Sequence, residues 1–266
     1  MSRGVALLGH GTKDSEGVAE FLQLAEVLRE RTGEPVFAGV LEYPTDGLGT
    51  IAEAFAAAAR CGATELVALP ALLHFAGHTR DDIPSTVARA RVAHPSLDIR
   101  LAGPLGYEER MLSALEDRVS AIGAGADAAL LVVGRGSLNS ESNADLFKAS
   151  RLFWDRGGFG IVEAAFVSLA APGVAAGIER CRRLGAARVV VAPYFLNTGV
   201  LVKRIGQQAR ASGAEVAPHL GLHPLVIDVL LDRLAQARAG LCPCTAAAGC
   251  RLPEAACRQE LVCRAA

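Results

Sequence analysis

GVALLGHGTKDSEG, residues 4–17, and AALLVVGRGSLNSES, residues 128–142, are one motif written twice in a chain of 266 residues. In each copy a short apolar run reaches Gly-x-Gly and then breaks into polar and acidic residues. The apolar run has strand length. The residues after it carry a helix start, Asp14 or Ser15 in the first copy, ahead of EFLQLAEVLRER and a stop at Gly33. Strand, sharp turn and helix open a parallel α/β unit.

The echo continues along both halves. FAGVLEYPTDGLGTIAEAFAAAARCGA (37–63) is answered by EAAFVSLAAPGVAAGIERCRRLGA (163–186), and ELVALPALLHFAGHTRDDI (65–83) by RVVVAPYFLNTGVLVKRI (188–205). PLGYEERMLSALEDRV (104–119) returns as HLGLHPLVIDVLLDRL (219–234). Apolar strands separated by helices imply a parallel sheet covered on both faces. Pro84 fits only the first turn of its helix. The expected fold is α/β: two similar domains related by internal duplication, each a mainly parallel four-stranded sheet flanked by helices. The repeat places them at residues 1–122 and 127–239, followed by a cysteine-rich tail, 240–266.

Composition narrows the function. Half the residues are apolar (51%), and 27 Lys and Arg nearly balance 28 Asp and Glu. A net charge of −1 gives no support for nucleic acid or a membrane surface as the main partner. No apolar run is long enough to cross a bilayer, and MSRGVALLGHGT lacks the pattern of a signal peptide. A soluble, cytoplasmic protein is expected. Of seven cysteines, Cys61 and Cys181 are expected as buried small hydrophobes. The other five lie from Cys242 onward, a cluster that in a reducing compartment favours metal binding over disulfides.

The repeat also acts as a control on function. Residues needed by the scaffold should persist in both copies, as the turn glycines and the strand-end Pro70 and Pro193 do. His10, Glu42 and His78 do not persist: their counterparts are Arg135, Ser168 and Leu201. Ligands of parallel α/β sheets bind beyond the carboxyl ends of the strands, where all three of these residues fall. Two imidazoles and a carboxylate suit a borderline divalent cation, or equally serve as general bases near neutrality.

LLGHGT, VLEYPT and PALLHFAGHTRDDIP resemble the signature segments of the ATP-independent class II chelatases, the sirohydrochlorin cobalto- and ferrochelatase group. The resemblance runs from Val5 to Arg233, and its most specific part joins Gly77 and His78 to Asp82–Pro84. It implies that His10 and His78 bind the metal and act in catalysis with Glu42, at one active site in the first domain. It also implies insertion of Co²⁺ into sirohydrochlorin for cobalamin, with Fe²⁺ insertion for sirohaem, or Ni²⁺, as alternatives. Three protein donors leave coordination positions open for transfer, unlike the closed four-ligand shell of a structural zinc. The eight carboxylates of sirohydrochlorin call for cations, with Arg80, Arg135, Lys203 and Arg204 on strand-end loops as candidates. The chain contains no phosphate loop of the Gly-x4-Gly-Lys-Ser/Thr type.

Some long members of that group carry a C-terminal cysteine extension that binds an iron–sulfur cluster. This implies a [4Fe–4S] cluster on Cys242, Cys244, Cys250 and either Cys257 or Cys263; a tail that holds the metal before transfer, and an unstructured tail without specific function, stay open beside it. Two competing readings stand beside the chelatase. One is a metal-binding or metallochaperone protein working through its tail. The other is a histidine phosphatase-like hydrolase, disfavoured because Gly9 rather than an arginine precedes His10. With two facing units in one chain, a monomer is expected.

Overall fold

The computed structural model describes residues 2–73 and 82–241. Strand and helix alternate: β1 (Arg3–Gly9), α1 (Ser15–Thr32), β2 (Val36–Val40), α2 (Ile51–Arg60), β3 (Glu65–Pro70), α3 (Ile83–Ala93), β4 (Asp98–Leu101) and α4 (Glu109–Ser120). The second series is β5 (Ala128–Gly134), α5 (Ser140–Asp155), β6 (Ile161–Phe166), α6 (Val174–Arg183), β7 (Arg188–Pro193), α7 (Val200–Ala211), β8 (Glu215–Val216) and α8 (Pro224–Arg238). The two four-stranded sheets have the orders β2-β1-β3-β4 and β6-β5-β7-β8, and every pairing is parallel. The duplicated α/β fold is therefore as the sequence reads.

Local chemistry sets the helix ends. The Asp14 carboxylate accepts the N–H groups of Glu16 and Gly17 at the start of α1, and Gly33 ends that helix in the left-handed region, φ 69°. Thr50 and Glu53 form a reciprocal capping box on α2. Pro84 stands in the first turn of α3, where its missing N–H is not needed.

One face of the first sheet buries Ala6, Leu8, Leu66 and Ala68 against Ile51, Phe55 and Ala58 of α2 and Ile83, Val87 and Ala90 of α3. The second sheet repeats this with Val174, Ile178 and Cys181 of α6 and Ile205 and Ala209 of α7. Fully burying each large aliphatic or aromatic side chain contributes roughly 1.5–3 kcal/mol. Cys181 is buried as expected, and burial, aided by the Glu163 carboxylate, pushes its thiol up to about 11. It is a packing residue. Cys61 is exposed, contrary to expectation. It caps the C-terminus of α2, one residue beyond the last helical turn, where the chain swings away from the face that Ala58 still occupies.

By contacts the molecule divides into two compact units. One contains the residues up to Glu108 and those from Ile227 onward; the other is Glu109–Val226. This division differs from the repeat boundaries near residues 122 and 127. The first unit holds the first sheet with α8, whose Val229, Leu230, Leu234 and Ala237 are buried. The second holds the second sheet with α4, whose Met111, Leu112, Leu115 and Val119 are buried. The last helix of each repeat thus belongs to the unit built on the other repeat's sheet. No helix among the described residues is long and apolar enough to cross a membrane.

Candidate active site

In the order β2-β1-β3-β4 the chain leaves β1 on one side and β3 on the other, a switch point at which α/β sheets bind ligands. His10 stands there, directly after β1. Its two glycine neighbours are set by close approach. A Cβ on Gly9 would meet the Phe21 ring of α1 at 2.8 Å. Gly11 has φ +95°, and a Cβ on it would overlap the carbonyl oxygen of Glu42.

The parallel ladder does not stop where β1 and β2 end. Leu41 donates its N–H to the Gly9 carbonyl (3.1 Å), and Glu42 donates to the His10 carbonyl (2.8 Å). This zipper fixes His10 and Glu42 as neighbours on one rim. His10 is half-buried, and Glu42 is exposed. His10 Nδ1 lies 3.2 Å from the Gly11 carbonyl oxygen. A carbonyl only accepts, so Nδ1 carries the proton and the lone pair resides on Nε2, the nitrogen suited to a cation or a proton. Nε2 is itself buried.

Two further residues frame this rim. Tyr43 follows Glu42 in the left-handed region, φ 54°, and Lys13 places its ammonium 4.9 Å from the Tyr43 ring centroid. The sequence reading passed over both. The signal for Tyr43 was its place beside Glu42, in a turn with a proline next to it.

The third member of the trio is reached from β3. Ala71 donates its N–H to the Leu8 carbonyl (2.8 Å), which keeps the chain after β3 against β1. His78 and Arg80 lie outside the described residues, as do Cys242, Cys244, Cys250, Cys257 and Cys263. Among the described residues no three His, Cys, Asp or Glu side chains form a group able to hold a metal ion.

The second sheet repeats the backbone of this site with other side chains. Val167 donates to the Gly134 carbonyl and Ser168 to the Arg135 carbonyl, both at 3.0 Å. A Cβ on Gly136 would overlap the Ser168 oxygen just as one on Gly11 overlaps that of Glu42. Leu169 matches Tyr43 in taking positive φ, 58°. Arg135 is exposed on the loop after β5. Leu201 packs against the second core. Lys203 and Arg204 were expected on a strand-end loop, but both stand exposed on α7, because the loop ends at Gly199 and the helix begins at Val200.

A family model described as CbiX matches residues 4–122 and again 129–237. The sirohydrochlorin cobaltochelatase of Priestia megaterium is 31% identical over 250 residues, spanning 87% of this chain and 78% of its own length. The sirohydrochlorin ferrochelatase of the same organism is 27% identical over 229 residues, with 83% and 85% covered. SirB from Bacillus subtilis, solved with Fe3+, has the same fold, with a TM-score of 0.79 over 90% of this chain and 97% of its own, at 24% identity. Matched in both of its repeats and 31% identical to a relative along most of its length, the chain belongs to the CbiX family.

Proposed function

We propose that this chain is a sirohydrochlorin cobaltochelatase, an ATP-independent enzyme that inserts Co²⁺ into sirohydrochlorin for cobalamin. The observation that carries the reading is the rim after β1 and β2. Backbone bonds seat His10, its Nδ1 at the Gly11 carbonyl, beside Glu42, and the same backbone in the second sheet carries Arg135 and Ser168 instead. Cobalt is preferred over iron because the similar cobaltochelatase is 31% identical against 27% for the ferrochelatase of the same organism.

Insertion replaces two pyrrolic protons with one divalent cation, releasing two H⁺. In this reading the first repeat, 1–122, holds the reaction and the second, 127–239, keeps the scaffold. His10 and His78 hold the incoming cation through neutral imidazole nitrogens, loosely enough to release it to four pyrrole nitrogens. Glu42, exposed at the rim, takes up protons as they leave. Arg80, Arg135, Lys203 and Arg204 are assigned to the substrate's carboxylates.

The decisive test is anaerobic incubation of the protein with sirohydrochlorin and Co²⁺, Fe²⁺ or Ni²⁺, followed by absorbance. Co²⁺ should be inserted fastest. Faster insertion of Fe²⁺ moves the assignment to ferrochelatase, and no insertion of any ion rejects it. The tail cysteines Cys242, Cys244, Cys250 and Cys257 or Cys263 are assigned to a [4Fe–4S] cluster. Iron and sulfide content of anaerobically purified protein checks this, and an iron-free preparation overturns it. The protein is taken to be monomeric and cytoplasmic, the former checked by sedimentation.

A further inference from the structure

Beyond β1 and β2 the two rim loops run on side by side. Backbone bonds join Leu41 to Gly9 and Glu42 to His10, Gly11 lies against the Glu42 carbonyl, and the Lys13 ammonium stands 4.9 Å from the Tyr43 ring centroid. All of these residues belong to the first unit. Lys13 and Tyr43 are therefore the next step along the same pair of loops, immediately past His10 and Glu42. Lys13 is exposed, and Tyr43 is 43% exposed.

Both positions are held by their surroundings. Lys13 sits between Thr12, whose hydroxyl accepts the Asp14 N–H (3.1 Å), and Asp14, whose carboxylate caps α1. Tyr43 sits on a loop closed by Thr45 and Leu48, which exchange backbone bonds at 2.9 and 3.0 Å, and Leu48 anchors that loop by burial. The second repeat supplies the comparison. Its loops take the same backbone path, positive φ at Leu169 included, yet Leu138 and Leu169 stand at the matching places. The scaffold thus needs neither the cation nor the ring, and both occur in the copy that carries His10 and Glu42.

We infer that Lys13, held against the Tyr43 ring, binds a peripheral carboxylate of the tetrapyrrole and so seats the macrocycle at the His10–Glu42 rim, an inference that rests on the function proposed above. An ammonium has three donors and no lone pair, so Lys13 serves an anion and not the metal. An aromatic face holds an ammonium in place without cancelling its charge, as a carboxylate partner would. The charge therefore stays available to the substrate. Sirohydrochlorin carries its carboxylates around the edge of the macrocycle and takes the metal at its centre. A cation set along the rim from the metal donors, rather than among them, matches that arrangement.

The test uses full-length protein and metal-free sirohydrochlorin, titrated by absorbance, with Co²⁺ insertion followed in parallel. Lys13→Gln should weaken tetrapyrrole binding about tenfold and raise KM by a similar factor, with kcat changed far less. Lys13→Arg should restore most of the affinity. The gap between wild type and Lys13→Gln should narrow at high salt, which screens an exposed charge. Tyr43→Leu places on this loop the residue that its counterpart already carries at positive φ. It should keep the melting temperature and weaken binding about threefold. Wild-type protein that metallates sirohydrochlorin while either Lys13→Gln or Tyr43→Leu binds it with unaltered affinity overturns the Lys13 contact alone, as does a loss in Lys13→Gln that Lys13→Arg shares in full. Wild-type protein that neither binds nor metallates sirohydrochlorin overturns the proposed function, and the Lys13 contact with it.

Discussion

The backbone that carries His10 also carries Arg135, ladder bond for ladder bond, so substitution at position 10 has a precedent within the same molecule. His10→Arg and Glu42→Ser each install the second repeat's residue on a backbone already shown to accept it. Both variants should keep the wild-type melting temperature to within about 0.5 kcal/mol of stability and lose Co²⁺ insertion by at least about 100-fold. Loss of folding in either variant, or insertion at the wild-type rate, counts against the assignment. His10 and Glu42 stand out as candidates in the sequence because the repeat separates what the scaffold needs from what only one copy retains. Lys13 and Tyr43 do not, since their pairing arises from a positive φ at Tyr43 that its side chain does not announce. Cys61 was misread for a related reason. A helical periodicity marks the buried face but not the residue at which the helix ends, and Cys61 lies just past that point.

At the scale of elements, the strands were plain as apolar runs, and the caps Asp14, Thr50 and Pro84 fixed helix starts. What the sequence withheld was which sheet the last helix of each repeat covers. An amphipathic pattern identifies an apolar face and says nothing about its partner. The structure answers through two matching arginines. Arg233 of α8 donates to the carbonyls of Pro104 and Leu105 in the first unit, and Arg118 of α4 donates to that of Leu220 in the second. The start of α8 is also unusual. His223, the residue before it, accepts the Leu225 N–H at Nδ1 (3.3 Å), and its Nε2 faces Asp117 Oδ2 at 3.2 Å. Burial, and then the charge of Arg118, hold the His223 pKa below its ordinary value against the opposing pull of Asp117. The folded protein therefore refuses a proton that the unfolded chain accepts. This contribution is complete above the ordinary histidine value near 6.5 and is lost as pH falls from there through the lowered folded value. His223→Asn keeps a helix-capping side chain but removes the titration. Melting curves between pH 7 and pH 5 should fall less steeply for this variant than for wild type. The other five histidines are common to both proteins and cancel in the difference. Identical slopes would show that His223 has no such role.

For the molecule as a whole, the path of the chain matters more than the count of repeats. It leaves the first unit after Glu108 and returns to it at Ile227, so the junction between repeats, residues 121–127, lies inside the second unit. That junction is itself tied down: Arg188 of β7 donates to the Gly123 carbonyl and pairs with Asp127 and Glu215, lowering the pKa of both carboxyls. A break there separates two polypeptides but no compact unit. The N-terminal piece keeps the first sheet yet ends in α4, which belongs to the second unit. The C-terminal piece keeps the second sheet yet ends in α8, which the first unit needs. Arg233 shows how firmly that helix is held: only 3% exposed, it pairs with Glu108 at 2.7 Å besides binding its two carbonyls. Removing one partner of a buried, hydrogen-bonded charge costs about 3–5 kcal/mol, so withdrawal of α8 would leave the first unit without its seal. A site-specific protease sequence replacing residues 123–126 in the full chain tests this directly. After complete cleavage the protein should migrate on size exclusion at its uncut size, show two bands only under denaturing conditions, and melt in one transition. Addition of Arg233→Ala to the cleaved protein should lower that transition and promote separation of the pieces. Two folded fragments that part spontaneously after cleavage would mean that each repeat stands alone and that neither last helix is shared.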